Sequence, residues 1–185
     1  MNSSNKTTSQ HAFSLFARLF VLDIACFIMS LFVFTISSNV WLRAVIQLCD
    51  LVLLISVIYS YVYKIGEYDA TLVNSGYKPA EPLRGLFVGL IANIPFFVTA
   101  FLLVLSRLGV FGANFYNYYK ILNSFFFPFI YTLLPVDMSI FEVRTLDVVL
   151  TVLIQIVVPI ISFFAYQIGL SRFSFKEKLF YKKAE

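Results

Sequence analysis

Apolar residues along this chain come in long, nearly unbroken runs separated by short polar breaks, with neither the alternation of a half-buried strand nor the single stripe of a surface helix. The first run, Phe13 to Ile36, closes at the turn-like Ser37-Ser38-Asn39 and predicts a spanning helix over about 16–37. Later runs predict spans over about 42–63, 86–106 and 146–170. Each is near the roughly 20 residues that a 30 Å hydrocarbon core requires at 1.5 Å per residue. Residues 13–170 then form one transmembrane domain between a polar N-terminal tail, 1–12, and a basic tail, 171–185. The first run is too long for the apolar core of a signal peptide and lacks a small-residue cleavage site, so it reads as the first span. The expected fold is all-α, a polytopic bundle of transmembrane helices.

The stretch ILNSFFFPFIYTLLP, residues 121–135, breaks the pattern. As a helix it reaches about 22 Å, short for a crossing, and Pro128 interrupts it. The alternatives are a re-entrant or interfacial segment, giving four spans, or a short fifth span. Tyr116, Tyr118 and Tyr119 just before it are expected at a headgroup interface. Charge separates the alternatives. With four spans, ten of the 14 Lys and Arg share the side of the two termini, and only Arg43, Arg107, Lys120 and Arg144 lie opposite. With five, the distribution is six against eight. The positive-inside rule selects four spans in a cell membrane, with both termini cytoplasmic.

Composition agrees. Of 185 residues, 60% are hydrophobic and 13% charged, with mean hydropathy +0.86, whereas a soluble domain carries roughly a quarter charged residues. The net charge of +4 comes from residues at the edges of the apolar runs, so it reports orientation and not nucleic-acid binding. Cys26 and Cys49 lie inside apolar runs and read as small hydrophobes. In the last fifteen residues, Arg172, Lys176, Lys178, Lys182 and Lys183 alternate with aromatics and are candidates for contact with the inner leaflet. The polar stretch 64–85 between spans two and three reads as a compact hairpin whose charges cancel: Lys64, Lys78 and Arg84 against Glu67, Asp69 and Glu81.

Enzyme signatures are missing: the single histidine, His11, falls in the polar tail, and no nucleotide, zinc-protease or nucleophile-elbow motif occurs. The expectation is a non-enzymatic protein without cofactor or metal. Two acids stand inside apolar runs, Asp23 and Asp50, each costing about 2.5–3.5 kcal/mol on insertion scales. From the expected spans, their levels differ by roughly 10 Å, with Asn93 level with Asp23 and Gln155 level with Asp50. These four residues form the candidate polar site. The expected partner of Asp23 is Asn93; that of Asp50 is Gln155 or Gln47. Pro95 and Pro159 are each expected to free a backbone carbonyl beside this layer. Gly85 and Gly89 permit a close helix approach.

The stretch ARLFVLDIACFIMSLFVF resembles the first helix of the RDD family, small bacterial membrane proteins named for an Arg and two Asp. Arg18 and Asp23 would carry the first two letters. Leu83-Arg84-Gly85 echoes the Gly-rich stretch that follows span two in that family. The resemblance implies a transport or ion-exchange role. The sequence reading is therefore a small transport-related component with a polar midplane site, surrounded by lipid and working as a homo-oligomer. The alternative is an accessory or immunity-type subunit bound to a larger membrane partner.

The topology is testable by single-cysteine labelling in intact cells with an impermeant thiol reagent. Cysteines near Asn74 and Lys182 should stay unlabelled, and cysteines near Ser38 and Ser139 should label. Labelling at Lys182 alone would require the 121–135 segment to cross.

Overall fold

The computed structural model describes residues 7–36, 40–110, 114–127, 129–130 and 139–171. The basic tail from Arg172 to Lys183 lies outside the described residues, as does most of the second half of the 121–135 stretch. Four helices are long and apolar enough to span a membrane. The first, α1, runs Thr8–Ile36 and the second, α2, Val40–Asn74. The third, α3, runs Arg84–Arg107. After a short α4, Tyr116–Ile121, and a 3₁₀ turn, Ser124–Phe126, the fourth span is built from α5, Thr145–Leu153, and α6, Val157–Leu170. A second 3₁₀ turn, Ile154–Ile156, joins α5 to α6. No strand occurs among the described residues.

Two boundaries differ from the sequence reading. Helix α1 begins at Thr8, inside the segment expected as a tail, because Gln10 and Thr7 bond each other's backbone N–H groups across the first turn. His11 is buried there, with Nδ1 3.1 Å from the Tyr61 hydroxyl of α2. Helix α2 continues three turns past its apolar run, to Asn74, so only residues 75–83 make the connection. It stops in a Schellman motif: Gly76 has φ 73°, its N–H donates to the Val73 carbonyl, and Tyr77 N–H reaches Leu72. Helix α3 ends the same way at Gly109, φ 73°, with Val110 N–H on the Leu105 carbonyl.

Contacts between helices establish an up-and-down order. Along α1 and α2, His11 meets Tyr61 and Cys26 lies beside Asp50, so these two are antiparallel. Along α3 and the fourth span, Gly85 lies against Tyr166, Gly89 against Ser162 and Pro159, and Asn93 against Gln155. They too are antiparallel, so the chain leaves α3 and enters α5 at one end of the bundle. The intervening segment makes no net crossing. The first half of the 121–135 stretch is re-entrant: Phe115 N–H bonds Ser106 Oγ, Asn123 bonds Thr99, and Phe125 packs edge-on against Phe96 at 5.1 Å. Residues 115–125 thus run back along α3 into the bundle, where Ser124, Phe125 and Phe126 are fully buried. Tyr116 and Tyr119 are buried with them, against the interfacial expectation, because they face inward from α4; Tyr118 alone is exposed.

Burial recurs at about every three to four residues, as at Leu15, Leu19, Leu22 and Cys26 of α1 and at Val88, Ala92, Phe96 and Ala100 of α3. The outward faces carry Phe20, Ile24 and Ile28, or Ile91, Ile94 and Val98. So much exposed apolar surface suits lipid, not water. Small residues draw the helices together. A Cβ on Gly66 would stand 2.4 Å from the Tyr166 carbonyl oxygen, and one on Gly169 2.3 Å from that of Tyr63. Backbone atoms cannot step aside, so α2 and α6 would have to part. Gly66→Ala or Gly169→Ala should cost about 1–3 kcal/mol, read from unfolding in micelles, whereas Val52→Ala on the lipid face should change little.

Candidate functional site

Polar groups inside an apolar span persist when the protein itself supplies their partners. The central one is a backbone group. Pro159 has no N–H, so the carbonyl of Gln155 lacks its helical donor, and the chain tightens into the Ile154–Ile156 3₁₀ turn just before it. Asn93 of α3 supplies the donor, Nδ2 to the Gln155 carbonyl at 2.9 Å. Pro95 does not act in this way. It lies on the exposed face of α3, so any carbonyl it frees points away from the polar layer.

The Gln155 side chain extends the network. Its Nε2 donates to Asn123 Oδ1 at 2.7 Å and to the Tyr119 hydroxyl at 3.1 Å. Tyr119 passes its own proton to the Thr151 carbonyl at 3.2 Å, and Asn123 Nδ2 donates to Thr99 Oγ1 and to the Tyr119 carbonyl, both at 3.0 Å. Tyr119 and Asn123 are one turn apart on the re-entrant segment, which is why one side of it meets the fourth span. All of Asn93, Tyr119, Asn123, Thr151 and Gln155 are buried. Three oxygens in this layer have no hydrogen-bond partner among the described residues: Asn93 Oδ1, Gln155 Oε1 and Ser162 Oγ.

The next residue along the re-entrant segment reaches the first acid. Ser124 N–H donates to Asp23 Oδ1 at 2.5 Å. A 3₁₀ turn leaves its first N–H groups without internal acceptors, and the carboxyl of Asp23 takes one of them. Asp50 of α2 is fully buried, with the Cys26 thiol of α1 beside it. Apart from that weak thiol donor, no hydrogen bond reaches either of its carboxyl oxygens among the described residues. Cys26 is one turn along α1 from Asp23, so the two acids differ in level by about one turn, roughly 5 Å, and not by the 10 Å expected.

Of the four residues read from the sequence, Asn93 and Gln155 meet directly, while Asp23 and Asp50 sit in the neighbouring α1–α2 layer. The expected pairings are corrected. Asp23 pairs with a backbone N–H of the re-entrant segment, because Asn93 is already turned to the Gln155 carbonyl. Asp50 does not meet Gln155, whose side chain is taken up by Asn123 and Tyr119; the Gln47 side chain lies outside the described residues. Of the residues that join the two layers, Asn123 and Ser124 were not singled out, and Tyr119 was expected at the interface. Their signal in the sequence was an Asn-Ser pair in an otherwise apolar run, with a Tyr four residues before the Asn.

A second polar cluster closes the end of the bundle that carries the chain termini. Arg84 Nη1 stands 2.7 Å from both carboxyl oxygens of Asp69, Tyr166 donates its hydroxyl proton to Oδ2 at 2.8 Å, and Lys78 Nζ lies 3.7 Å from Oδ1. Lys78 also pairs with Glu81 at 3.2 Å, and Gln167 Nε2 donates to the Pro82 carbonyl. Four of the six hairpin charges pair: Asp69 with Arg84 in a buried clamp, and Lys78, on the connection, with both Asp69 and the exposed Glu81.

Four antiparallel apolar helices around a polar interior define a multi-pass integral membrane protein. The chain matches no family model, and no curated protein and no solved structure is significantly similar to it.

The network makes an energetic distinction. Gln155→Leu deprives Asn123 and the Tyr119 hydroxyl of a donor and should cost about 1–2 kcal/mol. Ser162→Ala removes an oxygen that has no hydrogen-bond partner among the described residues, and should change stability by less than about 0.5 kcal/mol. Unfolding in mixed micelles measures both.

Proposed function

We propose that this protein is a small, non-enzymatic transport-related component of the membrane, in which Asp23 and Asp50 carry a proton or small cation through the bundle interior. The observation that carries this reading is Asp50: a fully buried acid within a span, with only the Cys26 thiol, a weak donor, at its carboxyl group among the described residues. A bare charge there is far too costly to persist. An acid in that position therefore holds a proton or a cation, and exchanging one for the other is the elementary step of coupled transport. Support comes from the surroundings. Asp23 lies one turn away, facing the backbone N–H groups of Ser124 and Phe125, and the orphan oxygens of Asn93 and Gln155 continue the polar layer to the broken fourth span. Intramembrane acids are functional by default, and broken helices at mid-depth are the usual setting of such sites. Four spans enclose little interior, so the working unit is a homo-oligomer. The start of α1 and the end of α6 face the cytoplasm on this reading.

The test is flux through reconstituted vesicles. Asp23→Asn and Asp50→Asn keep shape and one hydrogen-bonding oxygen but cannot ionise. Both should fold with stability within about 1 kcal/mol of the parent and lose at least about tenfold in proton- or cation-coupled flux. Unchanged flux in both variants rejects the interior site and leaves the accessory-subunit reading, to be examined by pull-down of a stoichiometric membrane partner.

A further inference from the structure

Arg18 lies ten residues into α1, about 15 Å along its axis, on the exposed side of the helix. A guanidinium on a lipid-facing surface needs a counter-charge or a route to the interface. Its side chain runs back towards the helix start, the direction helical side chains take, and stands 4.7 Å over the Tyr61 ring. That contact uses the ring face of Tyr61, which takes up none of the five guanidinium N–H donors in a conventional hydrogen bond. No carboxylate is within ion-pair distance of Arg18 among the described residues. Asp23, the nearest acid in the chain, is turned into the bundle towards Ser124.

The guanidinium borders a groove of about 720 Å³ between α1 and α2. Below Arg18 its walls are Val21, Leu22, Ala25, Leu53 and Val57, all apolar. The small side chains of Ala17 and Ala25, eight residues apart on one stripe of α1, are what leave this space open. Above Arg18 a recess of about 470 Å³ continues past Ser14 to Ser9 and Gln10. From the helix start inward, hydroxyl and amide groups flanked by the exposed Phe13 ring come first, then the cation, then hydrocarbon. A phospholipid has the same order of polar headgroup, phosphate and acyl chain.

We propose that this groove binds one anionic phospholipid, its phosphate on the Arg18 guanidinium and an acyl chain along Val21, Ala25 and Leu53. The unneutralised cation selects the anion, and the apolar floor selects a lipid over a free phosphate. A net-negative lipid is preferred to a zwitterionic one because the latter brings its own cation to the same phosphate.

Native mass spectrometry of the full chain tests this with phosphatidylglycerol and phosphatidylcholine of matched acyl chains, and with inorganic phosphate. Phosphatidylglycerol should be retained at least about tenfold better than phosphatidylcholine, as expected for a charge-assisted hydrogen bond. Arg18→Gln should abolish the preference, Arg18→Lys should keep part of it, and Ala25→Phe should weaken retention of both lipids by filling the acyl channel. Inorganic phosphate should neither bind nor displace the lipid. Equal retention of the two lipids, displacement by phosphate, or an undiminished preference in Arg18→Gln overturns the proposal. If Arg18→Gln does not fold, undiminished lipid retention in Ala25→Phe overturns it instead.

Discussion

The carbonyl of Gln155 is the group on which the interior depends. A proline four residues later removes its helical donor, and in hydrocarbon no water replaces it. Asn93 fills the gap from the facing helix. That one hydrogen bond sets α3 and the fourth span in register, and Gly85 and Gly89 allow their backbones to approach closely enough to make it. The local 3₁₀ turn leaves the Gln155 side chain directed at the re-entrant segment, so the break in one helix also positions the element that does not cross.

The re-entrant segment then solves two problems together. Its own short helix and turn carry backbone groups that a lipid-facing loop could not satisfy. Buried against α1 and α3, it finds partners for them, and in doing so it presents a backbone N–H to Asp23. The acid and the broken segment stabilise each other. Asp50 stands outside this arrangement, one turn away and without such a donor, and it is this difference between two similar acids that directs attention to exchange of a proton or cation.

At the other end, Asp69, Arg84 and Tyr166 tie α2, α3 and α6 together above the Gly66–Gly169 crossing. Arg84 reaches both carboxyl oxygens of Asp69 through Nη1 in a charge-assisted, buried pair, so this end of the bundle is tied across three helices. Helix α1 packs only through its buried stripe and leaves the Arg18 groove open on its outer side. The molecule is therefore clamped on three helices and bordered by lipid on the fourth.

How much of this was legible beforehand follows from what each feature depends on. Hydrophobic run length is a local property, so the four spans and the all-helical class were readable from the chain, and its charges pointed to the antiparallel order of α3 and the fourth span. Gly85 and Gly89 were readable as well, since small residues four apart lie on one face of any helix. Helix ends were less so: α1 starts earlier and α2 ends later than the apolar runs do, because a capping bond and a Schellman glycine end helices where hydrophobicity does not. The partners of Asp23, Asp50, Asn93 and Gln155 were beyond the sequence. Composition identifies which polar groups need partners, but only the axial offset and rotation of packed helices decide which of them meet. Asn93 and Gln155 are 62 residues apart in the chain and Ser124 and Asp23 are 101 apart, and nothing short of the tertiary packing brings them together.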